Sequence, residues 1–382
     1  MIRERRDLAK ARRIVVKIGS SLLADARQGI RQDVIDTLVD ELETLMRRGI
    51  EVAVVSSGAV ALGCVRLGWL GRTLSVHEKQ AAAAIGQPKL MRAYGNAFAR
   101  HGRIVAQMLL TKDDLRHRRR YLNASNTSAT LFSAGVVPIV NENDTVVVEE
   151  IKFGDNDTLG ALVSLVIDAD LLVMLTDVDG LYDKAPREHG DARRYGVVRQ
   201  FSAEVLRAAG GAGSSFGTGG MASKMNAARI STRGGVPAAI VNGQRPGVLR
   251  ALLAGEDIGT LFLCGSDRRS RRQHWIADVL RPEGRLRVDA GAERALLERG
   301  SSLLPVGVTA VEGVFDKGAC IDIVGRHGVI ARGLSNYSAE DLRKIQGHGS
   351  HEIERILGYR DFSSVIHRDN LVLLHPETGE ER

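Results

Sequence analysis

Cysteine is scarce in this sequence. The 382 residues include only Cys64, Cys264 and Cys320, an odd number at wide spacing that gives neither a disulfide framework nor a metal-ligand pattern. We therefore expect reduced thiols that take no part in the chemistry.

The sequence also lacks an apolar run long enough to cross a membrane. Its longest apolar stretch, residues 159–174, contains Asp168 and Asp170, each of which would cost about 3 kcal/mol in lipid. The basic segment 1–13 lacks the apolar centre of a secretory signal. We expect a cytoplasmic protein that has no membrane partner.

Two familiar ligand motifs are missing as well. The glycine loop at 217–224 does not follow the Gly-x-x-x-x-Gly-Lys-Ser/Thr order, which disfavours the P-loop NTPase class. The polar segments 141–144 and 154–157 lack the spacing and the terminal glutamate of an EF-hand. A calcium loop is therefore disfavoured.

The length and charge of the chain indicate two domains of different character, because single domains usually hold about 100 to 200 residues. Residues 1–282 carry 40 Lys and Arg against 30 Asp and Glu, whereas residues 283–382 carry 13 against 16. The net charge of +7 therefore belongs to the first part. A basic surface there suits ATP, an acidic small molecule or nucleic acid.

Up to about residue 263, short runs rich in Val and Ile alternate with segments of helical period. This pattern is typical of βα units and predicts an α/β domain, with a mainly parallel sheet sandwiched between helices. The segment 145–153 is more typical of a hairpin. The predicted strands are 14–18, 51–55, 104–109, 136–140, 171–175 and 238–241.

Beyond residue 282 the sequence changes to short segments separated by frequent glycines. This texture is typical of a small β-rich barrel or sandwich. We predict four parts: a first domain at 1–263, a linker at 264–282, a small β-rich domain at 283–366 and a C-terminal tail at 367–382.

A lysine, Lys17, interrupts the apolar part of the first predicted strand, which ends in the small residues 19–21. The turn 56–59 resembles it at the end of the second strand. Ligands of open α/β sheets bind beyond the carboxyl ends of strands, where backbone N–H groups approach phosphate. An anion site is therefore indicated, and a lysine that extends from an edge strand to water is the open alternative.

Carboxamides and carboxylates are concentrated in segments 141–144 and 154–157. These groups suit the ammonium and carboxylate of an amino acid, and a carboxylate can also hold lysines in place. Simple turn-forming Asn and Asp is the alternative.

Glycine is abundant, with 42 residues, well above the average share of about 7%. The loop 217–220 runs into a predicted helix at 221–233, which places Lys224 on the first helical turn near a phosphate. A flexible linker is the alternative reading of this loop. Thr176 and Asp177 end another predicted strand and suit nucleotide contacts.

Taken together and in this order, these segments resemble the amino acid kinase family. The Asn-Glu-Asn-Asp and Gly-Asp-Asn-Asp pair is the more specific part of the likeness. The C-terminal part resembles a PUA domain, an appendage that acetylglutamate and uridylate kinases lack. The matching segments are 16–20, 56–59, 141–144, 154–157, 175–177 and 217–224 in the kinase part, and 289–292, 300–305 and 331–337 in the PUA-like part.

The resemblance implies phosphorylation of the γ-carboxylate of L-glutamate by ATP with Mg²⁺, as the first step of proline biosynthesis. It also implies feedback inhibition by proline and a homo-oligomer, a dimer or a tetramer. Another carboxylate kinase of the family and an RNA-binding role of the PUA-like domain are the alternatives. The acidity of residues 283–382 disfavours RNA, whose binding needs a basic face.

The resemblance also implies roles for individual residues. Lys17, Lys224 and Asp157 would be catalytic, with both lysines at the ATP phosphates and Asp157 orienting them. No residue is assigned to a protein-bound metal. Glutamate would be bound by Ser57, Asp144 and Asn156. ATP would be bound by Lys17, Thr176, Asp177, Thr218, Gly219, Gly220, Met221, Ala222, Ser223 and Lys224.

Overall fold

The structure of the protein is a computed structural model. It describes residues 2–25, 29–146, 155–186, 188–210, 220–265, 273, 276–277 and 280–374. The chain forms two compact units: Met1–Asp114 with Asn123–Asp267, and Leu115–Leu122 with Arg268–Arg382. The sequence-based boundaries at 263, 283 and 366 stay predictions.

The larger unit is built on one wide sheet with helices on its faces. The strands up to residue 267 are β1 (Arg13–Ile18), β2 (Ala24–Asp25), β3 (Gly29–Ile30), β4 (Glu51–Val55), β5 (Val105–Leu110), β6 (Val137–Glu142), β7 (Leu171–Thr176), β8 (Val197–Val198), β9 (Ala238–Asn242) and β10 (Thr260–Phe262). The helices up to residue 267 are α1 (Ser20–Leu23), α2 (Gln32–Met46), α3 (Ala59–Leu67), α4 (Val76–Ala99), α5 (Lys112–Arg116), α6 (Arg118–Ser133), α7 (Asp155–Val166), α8 (Ala203–Ala208), α9 (Met221–Arg233) and α10 (Val248–Leu253), preceded by a 3-10 turn at Arg5–Lys10. Residues 115–122, which include the end of α5 and the start of α6, belong to the smaller unit.

The sheet has the strand order β5-β6-β4-β1-β7-β9-β10-β8. The ladders from β5 to β9 are parallel, and β10 pairs with β9 in the antiparallel sense. The prediction of a mainly parallel α/β sheet is confirmed, and each of the six predicted strands is found within two residues of its predicted ends. The predicted hairpin at 145–153 lies mostly outside the described residues.

Strand β1 lies between β4 and β7, and its two faces pack against different helices. Ile14, Val16 and Ile18 belong to the same apolar core as Leu42 of α2. Side chains alternate between the faces of a strand. Lys17 therefore points to the opposite face, which α7 covers.

Helices α3 and α4 cross at two glycines. A Cβ on Gly86 would lie 1.8 Å from the carbonyl oxygen of Ala59, and a Cβ on Gly63 would lie 1.8 Å from that of Ala82. Both distances are far below any van der Waals contact. The crossing therefore requires glycine, and it brings the backbone of α4 against the start of α3.

The smaller unit contains a five-stranded sheet in the order β12-β11-β13-β14-β15. Its strands are β11 (Gly284–Val288), β12 (Val308–Gly313), β13 (Cys320–Gly325), β14 (Gly328–Leu334) and β15 (Leu371–Leu373). Its helices are α11 (Ala290–Arg299), α12 (Ala339–Ile345) and α13 (Ile353–Leu357), with 3-10 turns at Pro305–Gly307, Ser350–Glu352 and Arg368–Asn370.

The sheet and helices of this unit share one core, in which Leu286, Ile321 and Ile345 are fully buried. The β-rich prediction is confirmed, whereas the three helices were not predicted. Helix α11 carries a start signal in the sequence, since the Asp289 side chain accepts a hydrogen bond from the Ala292 N–H.

Among the described residues, no helix has both the length and the apolar character that a membrane span requires.

Candidate active site

A buried carboxylate holds two lysines at the carboxyl end of the central strands. Asp157, in the first turn of α7, is fully buried. Its Oδ1 lies 2.5 Å from Nζ of Lys17, and its Oδ2 lies 3.4 Å from Nζ of Lys224. The three side chains carry one net positive charge, so the cluster is suited to an anion.

The close approach of α7 to β1 depends on Gly160. A Cβ there would lie 3.3 Å from Cβ and 3.4 Å from Cγ of Lys17. Asp157 precedes Gly160 by three residues and thus lies on the same face of α7. The glycine therefore lets the helix approach near enough for Asp157 to meet the lysine.

Burial is the largest influence on the pKa of Lys17, which it lowers below the ordinary value of 10.5. The attraction of Asp157 opposes this shift, and the repulsion of Lys224 adds to it. A desolvated ammonium gains more from a bound anion than an exposed one, because water no longer screens the interaction.

The N-terminus of α9 completes the cluster. Ser223 Oγ donates a hydrogen bond of 2.8 Å to Oδ2 of Asp157, the oxygen nearer Lys224. Gly220 caps the helix, and the N–H groups of Met221 and Ala222 belong to its first turn. These groups have no partner within the helix and suit a phosphate. Thr218 and Gly219 lie outside the described residues.

A second group of predicted residues is linked by amide hydrogen bonds. Asn156 Nδ2 donates to Ser57 Oγ at 3.0 Å and to Asn141 Oδ1 at 3.2 Å. Asn141 Nδ2 in turn donates to Gln87 Oε1 at 2.8 Å. Because Asn156 precedes Asp157 in the chain, this amide network adjoins the lysine cluster.

Ser57 owes its position to a left-handed turn. It follows strand β4 and precedes Gly58, whose φ of +98° is strained for any residue with a Cβ. Helix α3 begins at the next residue, Ala59. The predicted small-residue turn is thus a strand-to-helix junction.

Asp144 lies two residues beyond β6 and is half-buried. Together with Gln87, Glu142 and Asn143 it lines a cavity of about 190 Å³. The structure therefore places Asp144 on the same cavity as one end of the amide network.

The two remaining predicted nucleotide residues lie at the end of β7. Thr176 is buried and donates a hydrogen bond of 3.2 Å from Oγ1 to Oδ1 of Asp177, which is exposed. In register, Thr176 pairs with Asn242 of β9. The exposed carboxylate thus stands at the carboxyl edge of the sheet, as the lysine cluster does.

Sequence reasoning did not single out Gln87, Asn141 as a network member, or Gly160. Gln87 stands beside Gly86 and Pro88 in a stretch otherwise rich in alanine. A lone amide in such a stretch is the signal that could have found it. Gly160 carries no local signal, because its role depends on a side chain far away in the sequence.

Residues 12–242 match the model of the amino acid kinase family, and residues 284–357 match that of the PUA domain. The chain therefore belongs to the amino acid kinase family. Over its full length it is similar to curated proteins named glutamate 5-kinase. The one from Trichlorobacter lovleyi is 52% identical over 96% of this chain and 98% of its own length. The one from Geobacter sulfurreducens is 52% identical over 96% of this chain and 99% of its own length. A crystal structure of UMP kinase from Bacillus anthracis covers 66% of this chain and 96% of its own, with 17% identity and a TM-score of 0.46.

Proposed function

We propose that this chain transfers the γ-phosphoryl group of ATP to the γ-carboxylate of L-glutamate, giving L-glutamyl 5-phosphate and ADP, the first step of proline biosynthesis. The observation that carries phosphoryl transfer is the pair of buried lysines held by Asp157 beside the N-terminus of α9. The choice of glutamate is supported by the curated relatives of that name, which match 96% of the chain.

In this reaction an oxygen of the glutamate γ-carboxylate forms a bond to the γ-phosphorus of ATP. The bond from that phosphorus to the β,γ-bridging oxygen breaks, and ADP leaves with the electron pair. A glutamate carboxylate has a pKa of about 4.3 and is ionised at pH 7. No general base is therefore needed, and the site has to align the reactants and balance negative charge.

The lysines serve this purpose electrostatically. Lys17 and Lys224 would contact the phosphate oxygens, on which negative charge is spread during transfer. Asp157 would orient both ammonium groups. Because its side chain is fully buried, water does not compete with the lysines for its carboxylate. The N–H groups at the start of α9 add donors for the phosphates.

The nucleotide site would extend from this cluster to the end of β7. Asp177 is exposed there and Thr176 forms the strand end. The glycine loop before α9 would bind the ATP phosphates, as the family resemblance implies for Thr218 and Gly219.

Glutamate would bind at the amide network. Ser57 and Asn156 are joined by a hydrogen bond, and Asp144 lines the cavity at the other end of the network. An amino acid presents both an ammonium and carboxylates. A site with hydroxyl, amide and carboxylate groups matches that set.

Mg²⁺ would enter with ATP. In the described part of the chain, no group of three or more His, Cys, Asp or Glu side chains could hold a metal ion. Mg²⁺ is commonly bound through substrate phosphates and water, with one or two carboxylates. The site described above fits an ion that arrives bound to the ATP phosphates, where it would neutralise phosphate charge.

The decisive experiment is an acceptor panel. The purified chain is incubated with ATP, Mg²⁺ and hydroxylamine and with glutamate, aspartate, N-acetylglutamate or UMP. An acyl phosphate is trapped as a hydroxamate, whereas a phosphorylated nucleotide is not. We expect hydroxamate with glutamate; its absence, with product from another acceptor, would overturn the proposal.

Two further properties rest on the family resemblance alone, and a third, the cytoplasmic location, rests on the sequence features described above. We propose that proline inhibits the reaction, that the chain forms a homo-oligomer and that it acts in the cytoplasm. Adding proline to the acceptor panel and measuring molar mass by light scattering would test the first two. Neither alternative, another carboxylate kinase or an RNA-binding module, is favoured by the full-length match to curated kinases.

A further inference from the structure

Two atoms of the amide network are buried without a hydrogen-bond partner among the described residues. They are Nε2 of Gln87 and Oδ1 of Asn156. Gln87 is only 8% exposed and lines the cavity that Asp144 also lines. Buried polar groups in native proteins are almost always paired, so an unpaired donor and an unpaired acceptor in one network call for a ligand.

One backbone group fixes the orientation of all three amides. The N–H of Glu142 donates to Oδ1 of Asn141 at 2.9 Å, and a backbone N–H cannot accept, so this atom of Asn141 must be the oxygen. The nitrogen of Asn141 then faces Gln87 and donates to its Oε1. Asn156 likewise turns its nitrogen to Asn141 Oδ1 and Ser57 Oγ.

The groups left over follow from this orientation. Gln87 has an N–H donor to offer, and Asn156 has a carbonyl acceptor. Ser57 accepts from Asn156, so its own O–H can donate. Two donors and one acceptor along one network, whose Gln87 end lines the cavity, are complementary to a carboxylate and an ammonium, the two charged groups that every free α-amino acid carries.

We propose that Gln87 Nε2 donates a hydrogen bond to the α-carboxylate of glutamate and that Gln87 is thereby a specificity-determining residue. This assignment rests on the proposed function. Asn156 adjoins the lysine cluster through Asp157, so the γ-carboxylate belongs at that end. Gln87 lies at the other end of the network, where the α-carboxylate of the same molecule would lie beside Asp144.

The test uses the full chain and the hydroxamate assay. Gln87→Glu keeps the shape and one oxygen that accepts from Asn141, but it replaces the free donor with a negative charge. We expect the KM for glutamate to rise about 100-fold, because a hydrogen bond to a charged group becomes a repulsion. The KM for ATP should stay within threefold of that of the wild type.

A second substrate separates recognition from structure. In isoglutamine the α-carboxylate is replaced by a carboxamide, which carries no charge and can donate a hydrogen bond to the introduced glutamate. The wild type should prefer glutamate, and Gln87→Glu should narrow or reverse that preference. If the role of Gln87 is purely structural, the variant should lose affinity for both substrates equally.

Two further variants keep the outcome decisive. Gln87→Met retains the size without either amide group and should raise the glutamate KM about tenfold; it replaces Gln87→Glu if circular dichroism shows that the latter does not fold. Gln80→Glu, on the same helix and hydrogen-bonded to His77, should behave like the wild type.

The results overturn the assignment if a folded Gln87 variant keeps its glutamate KM within threefold of the wild-type value, or if both substrates weaken alike. A wild-type chain that gives no hydroxamate from glutamate is a different result. It removes the proposed function, and the assignment with it.

Discussion

Oδ1 of Asp157 lies 2.5 Å from Nζ of Lys17, and the two side chains are 0% and 5% exposed. Lys224 approaches the other oxygen of the same carboxylate. One buried anion therefore separates two buried cations. We expect both the stability of the larger unit and its affinity for phosphate to depend on that arrangement.

Replacing Asp157 with Asn should destabilise the protein and reduce activity together. The exchange leaves two buried lysines without an opposing charge, which typically costs about 3 to 5 kcal/mol in the free energy of unfolding. Urea unfolding measures this loss. Asp191→Asn is the control, because Asp191 pairs with Lys184 at the surface and its exchange should leave the free energy of unfolding nearly unchanged. Equal effects of the two exchanges would contradict the buried role.

Alanine at Lys17 or at Lys224 should lower kcat about 100-fold to 1,000-fold, the range seen when one transition-state donor is removed. The KM for glutamate should change much less, since neither lysine is assigned to that substrate. Steady-state kinetics with both substrates varied provides the measurement. Lys10→Ala, at a lysine whose side chain is 74% exposed, should leave kcat unchanged. If the loss appears only in KM, the lysines bind without acting on transfer.

The activity should decline at alkaline pH because of Lys17. Burial lowers its pKa below 10.5, so the ammonium is charged below that lowered pKa and becomes neutral as the pH rises through it. We expect kcat/KM for ATP, which reports the free enzyme, to fall on the alkaline side below pH 10.5.

In Lys17→Arg the guanidinium stays protonated throughout the pH range in which Lys17 loses its charge, so the alkaline decline should move to higher pH even where the absolute rate is lower. Circular dichroism at each pH separates loss of charge from unfolding. The same alkaline limb in both proteins would show that another group titrates.

Alanine at Gly86 should destabilise the larger unit, because its Cβ would lie 1.8 Å from the Ala59 carbonyl oxygen. The helices would have to move apart, at a cost of about 1 to 3 kcal/mol. Gly95 is a matched control on the same helix, where an added Cβ meets nothing nearer than 4.0 Å. Gly95→Ala should stabilise by about 0.5 to 1 kcal/mol. Thermal unfolding of both variants checks the contrast, and equal shifts would contradict it.

Local patterns in the sequence were sufficient to predict the frame of the larger unit. The Val- and Ile-rich runs became the central strands because parallel strands are buried on both faces. The predicted helix at 221–233 coincides with α9. Gly49 follows the end of α2 with φ +80°, as is common for a glycine just after a helix. Each of these features is decided by neighbouring residues.

Features decided by distant residues were not predictable in this way. Residues 115–122 join the smaller unit although they are flanked by the larger one in sequence. The crossing of α3 and α4 depends on the fit of two glycines in different helices. The orientation of Gln87 depends on a backbone N–H 55 positions further along the chain. Single-sequence patterns carry no record of such pairings.

The glycine crossing also has a practical consequence. Helix α3 starts beside Ser57, and α4 carries Gln87 next to Gly86, so the contact between the two helices sets the distance between these two residues of the proposed glutamate site. Substitutions at Gly63 or Gly86 would change the distance between α3 and α4 without contacting any ligand. A genetic selection for altered substrate affinity or for resistance to an inhibitor should therefore recover substitutions at Gly63 and Gly86, as well as at residues that line the cavity.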